Sequence, residues 1–175
     1  MRIFVTGATG YVGFSVAAAL RRAGHEVWGL VRSAEKAVRL AKREIHPVVG
    51  TLQDTESFRE AVDRCSVVVH AAVDYTVDTA ALDRETIEFL LSRSRAEFPK
   101  TLVYTSGVWI YGATRDGKAD ESSPLRPIRA AAQRGATEKL VLEAANARGL
   151  VLRPGCVYGK QGGLTGLFFS AAETG

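Results

Sequence analysis

A chain of 175 residues and 18.8 kDa makes one ordinary domain and is too short for two comfortable ones. Apolar residues at 46% and charged residues at 24% exclude a disordered chain. The 23 Lys plus Arg stand against 19 Asp plus Glu, for a formal charge of only +4. These basic residues are scattered among acids, which argues against a dedicated nucleic-acid binder.

The first strand signal, Ile3-Phe4-Val5, follows the amino terminus directly, without a signal-peptide pattern. A glycine-rich turn comes next, then an amphipathic helix over Val12–Arg22, which ends with Arg21 and Arg22 in its last turn and Gly24 as a stop. Val27–Val31 predicts a second strand, Ala34–Arg43 a helix and Val48-Val49 a third strand. A helix over Asp54–Arg64, with the Asp54 side chain as its cap, leads to a strand at Val67-Val68-Val69. Thr79–Glu97 reads as a helix and Leu102-Val103-Tyr104 as the fifth strand. Ala113–Pro127 is a long polar loop, either a lid or binding loop or a surface insertion without a role. A helix over Ile128–Arg148, a strand at Val151-Leu152 and a short helix after Gly162-Gly163-Leu164 complete the chain. The strand runs are continuously apolar, as suits strands buried on both faces of a parallel sheet. Six strands separated by helices predict an α/β doubly wound sheet. No apolar stretch approaches the roughly 18 residues needed to span a bilayer, so no membrane partner is expected. Cys65 and Cys156 match no metal spacing and are expected as buried thiols of a reducing cytoplasm.

The sharpest motif is Thr6-Gly7-Ala8-Thr9-Gly10-Tyr11-Val12-Gly13, between the first strand and the first helix. Gly7 permits a tight turn, Gly10 lets the backbone approach a pyrophosphate, and Gly13 lets the helix pack closely. The helix N-terminus would present unpaired N–H groups and the positive end of its dipole to phosphates. A dinucleotide-binding turn is therefore expected. Readers of NAD usually place an acid about 20 residues further on, at the end of the second strand. Here Val31-Arg32-Ser33 stands there instead. A guanidinium accommodates a 2′-phosphate, so NADP is favoured over NAD, the alternative being that Arg32 is an ordinary surface residue.

In this arrangement the chain resembles the extended and atypical short-chain dehydrogenases/reductases, the NAD(P)-dependent epimerase/dehydratase group. The resemblance is carried by the glycine-rich turn, Val68-Val69-His70-Ala71-Ala72, Leu102-Val103-Tyr104-Thr105-Ser106 followed by Tyr111-Gly112, and Leu152-Arg153-Pro154-Gly155-Cys156-Val157-Tyr158-Gly159. It covers Met1 to about Phe169. It implies a Rossmann-type fold in which Gly7, Thr9, Gly10, Tyr11, Val12 and Gly13 hold the pyrophosphate. Arg32 and Ser33 would meet the adenosine ribose or its phosphate, Leu52 the adenine, and Ala71 and Ala72 the cofactor. Pro154 would lie beside the nicotinamide. The family's acid before that leucine is replaced here by Thr51.

The resemblance also implies a catalytic tyrosine with a lysine four positions later, on one helical face. Residues 127–143 contain no tyrosine. Aligning the family's following glutamate on Glu138 places Arg134 at the lysine position and Ala130 at the tyrosine position. Arg134 could still hold ribose hydroxyls as a cation, whereas Ala130 cannot transfer a proton. Lys139, the nearby lysine, has no tyrosine partner. The catalytic hydroxyl falls at Gly107, which leaves Ser106 and Thr105 as candidates for bonding to substrate or to the nicotinamide amide. Tyr111 and Tyr158 read as packing residues and His70 as a satisfied structural residue; Tyr75 is a distant option. No cluster of His, Cys, Asp and Glu suggests a metal.

The family's substrate pocket lies largely beyond its arginine-proline-glycine segment, and this chain ends about 15 residues after Gly159. Residues 1–175 are thus expected to form a single NAD(P)-binding domain with the substrate domain truncated or missing. A truncated enzyme, a natural minimal domain and a pocket completed by a partner chain are the competing explanations. The expected function is hydride transfer by an NADP(H)-binding oxidoreductase or epimerase homologue with an incomplete site. The alternative is a redox sensor or scaffold module that binds dinucleotide without turnover. The family's pairing through helices makes a homodimer an expectation too. The substrate itself is not legible.

Overall fold

The computed structural model describes residues 1–114, 117–159 and 162–174. Six parallel strands alternate with helices: β1 (Arg2–Thr6), α1 (Tyr11–Arg22), β2 (Glu26–Val31), α2 (Ala34–Ala41), β3 (His46–Val49), α3 (Arg59–Arg64), β4 (Val67–His70), α4 (Thr79–Ser92), β5 (Lys100–Thr105), α5 (Arg134–Leu142) and β6 (Ala147–Leu152). A two-residue hairpin, β7 (Tyr158–Gly159) with β8 (Gly162–Gly163), and α6 (Leu164–Thr174) follow. The sheet order is β3-β2-β1-β4-β5-β6. Direction along the sheet reverses between β1 and β4, where Thr6 lies beside His70 in register.

Alternation along each strand separates two apolar cores. Phe4, Leu30, Val68, Leu102 and Tyr104 face one side and pack with Phe58, Val62, Ile87, Leu90 and Val141 of the 3₁₀ turn Thr55–Phe58, α3, α4 and α5. Ile3, Val5, Val27, Val31 and Val69 face the other, with Ala17 of α1 and Leu40 of α2. This is the doubly wound Rossmann-type architecture expected from the sequence.

The strand runs are buried on both faces only in the middle of the sheet. At the edges, β3 is mostly exposed, and β6 alternates half-buried with exposed positions, because each lacks a neighbour on one side. Four helices are shorter than their periodicity suggested, and the first, α2, stops at Ala41 rather than Arg43. The Asp54–Arg64 helix begins as the 3₁₀ turn, and α4 stops at Ser92 rather than Glu97. The last expected helix starts with a separate 3₁₀ turn at Arg129–Ala131 and α5 ends at Leu142, because Ala147–Leu152 pair in parallel with Lys100–Thr105. Sheet pairing outweighs the helical preference of Ala147 and Arg148 there. Asp54 makes no side-chain cap; the Thr51 Oγ accepts the Asp54 N–H, and the Ser57 hydroxyl donates to the Asp54 carbonyl. Lys100 closes the C-terminus of α3 by donating to the carbonyls of Val62, Asp63 and Cys65 at 3.0, 3.1 and 2.5 Å. Among the described residues no helix is long and apolar enough to cross a membrane.

Candidate functional site

The carboxyl ends of the strands meet at the reversal between β1 and β4, where open α/β sheets place their ligands. Gly7 has φ +66°, and a Cβ there would lie 2.6 Å from the Ala71 carbonyl oxygen, so only glycine fits. The Gly10 N–H donates to the Gly7 carbonyl at 2.8 Å. A Cβ on Gly13 would stand 2.2 Å from that same carbonyl, so α1 is seated directly on the turn. No side chain caps α1 at Gly10, which leaves its first-turn N–H groups without an intrahelical partner. The Thr6 Oγ accepts N–H bonds from Ala71 and Ala72 at 3.2 and 3.3 Å, tying the end of β1 to the end of β4.

At the end of β2 the Arg32 side chain is 63% exposed, and it faces Asp74 at 3.5 Å. Gln53 and Thr76 also donate to Asp74, and their hydrogen bonds, that of the Thr76 hydroxyl foremost, hold its carboxyl below the ordinary carboxylate value. Ser33 differs from expectation. Its Oγ accepts the Lys36 N–H at 3.4 Å as the N-cap of α2, so it is occupied locally. Arg39 of α2, which no motif in the sequence marks, donates to the Thr9 carbonyl at 3.3 Å and lies over the Phe14 ring at 4.1 Å. On sequence alone it was one more surface arginine of an amphipathic helix. Leu52 is half-buried against the apolar core beneath β3, and Thr9 and Gly10 form the outer rim of the turn.

Beside the turn lies a cavity of about 630 Å³. Tyr11 and Val12 of α1, Asp83 of α4, Ser106 and Trp109 after β5, Ala130 and Arg134, and Pro154 after β6 are among its walls. Ser106 is 8% exposed, and among the described residues its Oγ has no hydrogen-bond partner. Thr105 does not line the cavity; its carbonyl accepts from Arg134 at 3.1 Å. Behind the wall runs a buried polar chain. His70 meets the Thr6 Oγ through Nδ1 at 2.9 Å and the Asp83 Oδ1 through Nε2 at 3.1 Å, and the Tyr104 hydroxyl donates to the Asp83 Oδ2 at 2.5 Å. Burial opposes ionisation of Asp83, yet the bonds from His70 and Tyr104, with the Arg134 guanidinium, hold its carboxyl below the ordinary 3.8. Burial and the adjacent Asp83 push the Tyr104 phenol far above its usual value. His70 is thus a satisfied structural residue, as expected, but it supports a carboxylate on the cavity wall. Nothing in sequence spacing links His70, Asp83 and Tyr104.

A profile described as the NAD dependent epimerase/dehydratase family matches residues 3–173. The chain belongs to this family. Among curated relatives of this epimerase/dehydratase member is a 4-hydroxy-2-methyl-3-oxo-4-farnesyl-3,4-dihydroquinoline-1-oxide ketoreductase of Stigmatella aurantiaca, 33% identical over 174 residues. That match covers 91% of this chain and 51% of the relative. A 3-diazoavenalumate denitrifying reductase of a Streptomyces species is 32% identical over 91% of this chain and 57% of its own length. The chain therefore spans about half the length of these two relatives. Among solved structures, the UDP-glucose 4-epimerase of Thermus thermophilus, in complex with NAD, superposes with a TM-score of 0.79 at 27% identity. It covers 99% of this chain and 62% of that one.

Within the family framework, Ala130 and Arg134 both lie on the cavity wall, where alignment on Glu138 put the tyrosine and lysine positions. Lys139 is turned away and pairs with Glu143 at 3.8 Å on an exposed face. Glu138 is buried and grips the Arg153 guanidinium at 2.6 and 3.1 Å, while Arg153 also donates to the Tyr111 hydroxyl at 2.6 Å. Tyr111 is accordingly a packing residue. Tyr158 is not: it is 74% exposed on the short hairpin, whose Gly159 carbonyl accepts the Tyr11 hydroxyl at 2.8 Å. Cys65 is buried as expected, whereas Cys156 is exposed and lines the cavity, because the segment after β6 leaves the sheet. The described part of the long loop folds back on residues 109–112, Arg126 N–H to the Ile110 carbonyl at 3.0 Å, and does not line the cavity. Arg115 and Asp116 lie outside the described residues.

Proposed function

We propose that this chain binds NADP(H) along the carboxyl edge of its sheet and belongs to a hydride-transfer oxidoreductase of the ketoreductase kind. The observation that carries the reading is the Gly7–Gly13 turn: a left-handed glycine, two positions where a Cβ would collide with backbone, and a helix N-terminus that no side chain caps. That cradle fits a pyrophosphate, which would take the free N–H groups. Gly7, Thr9, Gly10, Tyr11, Val12 and Gly13 would hold it, with Ala71 and Ala72 alongside. Arg32 and Arg39 flank the adenosine end and favour a 2′-phosphate over a bare hydroxyl. When bound, the dinucleotide supplies a hydride donor or acceptor at its nicotinamide ring.

This chain's own part is to orient. The free Ser106 Oγ would bond to a substrate oxygen or to the nicotinamide amide, Arg134 would offer its unused N–H groups to ribose hydroxyls, and Pro154 would bound the nicotinamide. The names of the two relatives, both reductases, support hydride transfer at a carbonyl or hydroxyl carbon rather than epimerisation. Titration of the chain with NADPH and with NADH, followed by quenching of tryptophan fluorescence, tests the reading. Saturable binding of both, tighter for NADPH, is expected. Failure of either to saturate overturns the reading, and tighter NADH binding overturns the NADP preference.

A further inference from the structure

Among the described residues the cavity wall holds one anion and one cation, Asp83 and Arg134. The rest of the lining is largely apolar, with Tyr75, Val108, Trp109 and Val157 offering aromatic and aliphatic surface. A neutral, apolar substrate matches such a wall better than a phosphorylated one. What distinguishes the site is how Asp83 is supported.

Hydrogen-bond accounting assigns the protons along the buried chain. The Thr6 Oγ already accepts the N–H groups of Ala71 and Ala72, so its own hydrogen is free to go to the His70 Nδ1. The ring is then the neutral tautomer protonated at Nε2, which donates to the Asp83 Oδ1. Tyr104, whose phenol can only donate to a carboxylate, occupies the Oδ2. Two donors from behind fix the carboxylate, yet an ionised carboxylate has about four acceptor positions. The Asp83 side chain lines the cavity and keeps 17% of its surface, which leaves room for a further donor. Ser106 follows Tyr104 by two positions and also lines the cavity, but its unpartnered Oγ is itself buried. Ala130, at the place of the family's proton-transfer residue, supplies no polar atom at all.

We infer that Asp83 is a substrate-contacting residue whose carboxylate accepts a hydrogen bond from an alcohol hydroxyl, so that this cavity selects neutral aromatic or apolar alcohols. The inference rests on the reading of the cavity as the substrate site. A ketone of the same shape has no hydrogen to offer Asp83, and a carboxylate is repelled by it. A hydrogen bond to a charged acceptor in a partly buried site is worth about one order of magnitude in affinity.

The experiment measures binding rather than turnover. Dissociation constants of 1-phenylethanol, acetophenone and benzoate for the chain are determined by ligand-observed NMR, and the Asp83 carboxyl carbon is followed by carbon-13 NMR in labelled protein. The alcohol is expected to bind about tenfold tighter than the ketone, to exceed benzoate as well, and to move the Asp83 carboxyl resonance. Asp83→Asn should erase the preference. Should that variant fail to fold, the wild-type comparison and the carboxyl shift decide by themselves. Equal or weaker binding of the alcohol, no binding of it, or an unmoved Asp83 resonance overturns the inference. NADPH titration run in parallel separates the two proposals, because the glycine-rich turn shares no residue with α4. Saturable NADPH binding without alcohol preference sinks the Asp83 contact alone, and alcohol preference without NADPH binding sinks the dinucleotide reading alone.

Discussion

Gly13 shows how one missing methyl group sets a whole helix in place. Its Cβ position lies 2.2 Å from the Gly7 carbonyl oxygen, so Gly13→Ala must push α1 off the turn. Overpacking of this kind costs about 1–3 kcal/mol, and a lowered thermal midpoint together with weakened NADPH binding is the expected outcome. Arg32 makes a different sort of prediction. It faces Asp74 at 3.5 Å, and most of its side chain stays exposed at the end of β2. Arg32→Ala should therefore weaken NADPH by roughly tenfold, the worth of a charge-assisted bond, and leave NADH nearly unchanged in the same fluorescence titration. The glycines were legible because a strand followed by Gly7, Gly10 and Gly13 and then a helix is a local pattern. Arg39 and Asp74 were not, since one meets Thr9 and the other Arg32 from a different element.

At the scale of elements, α5 and the segment after β6 are held together by Glu138 and Arg153. Glu138 is 1% exposed, and its carboxylate meets Arg153 through two nitrogens. Glu138→Gln would leave the guanidinium without its charge partner, and breaking a buried pair costs about 3 kcal/mol; chemical denaturation would read it as a lowered midpoint at unchanged slope. The two cysteines distinguish the elements that bear them. Burial at the end of α3 pushes the Cys65 thiol up to about 11, partly offset by Lys100, whereas Cys156 is exposed after β6. A thiol reagent at pH 8 should therefore label Cys156 alone in the native protein and both thiols in denaturant. NADPH should protect Cys156, since it lines the cavity. Rapid native labelling of both would contradict this packing. The end of α5 at Leu142 was not legible, because the residues beyond it are drawn into β6 by pairing with β5, a partner more than 40 residues earlier.

For the molecule as a whole, acid stability follows from carboxylates that the fold keeps ionised. Asp63, hydrogen-bonded by Arg93, and Asp83 both lie below the ordinary 3.8. A folded-state value below the unfolded one adds stability above the unfolded value and loses it as pH falls through the folded value. The denaturation midpoint should thus hold steady from neutral pH to about pH 5 and fall below about pH 4; a midpoint that rises on acidification would refute the sign. By itself the sequence determined the alternation of strands and helices, hence the two-sided sheet, the dinucleotide turn at its first crossing, and the lack of a tyrosine where the family carries one. These are properties of neighbouring residues, written as period, breaker and motif. Tertiary structure alone decided that His70 from β4, Asp83 from α4 and Tyr104 from β5 converge on one wall, that Cys156 faces the cavity, and that Ser33 caps α2. Such meetings depend on which faces the two cores bury and which strands pair, and no local spacing records either.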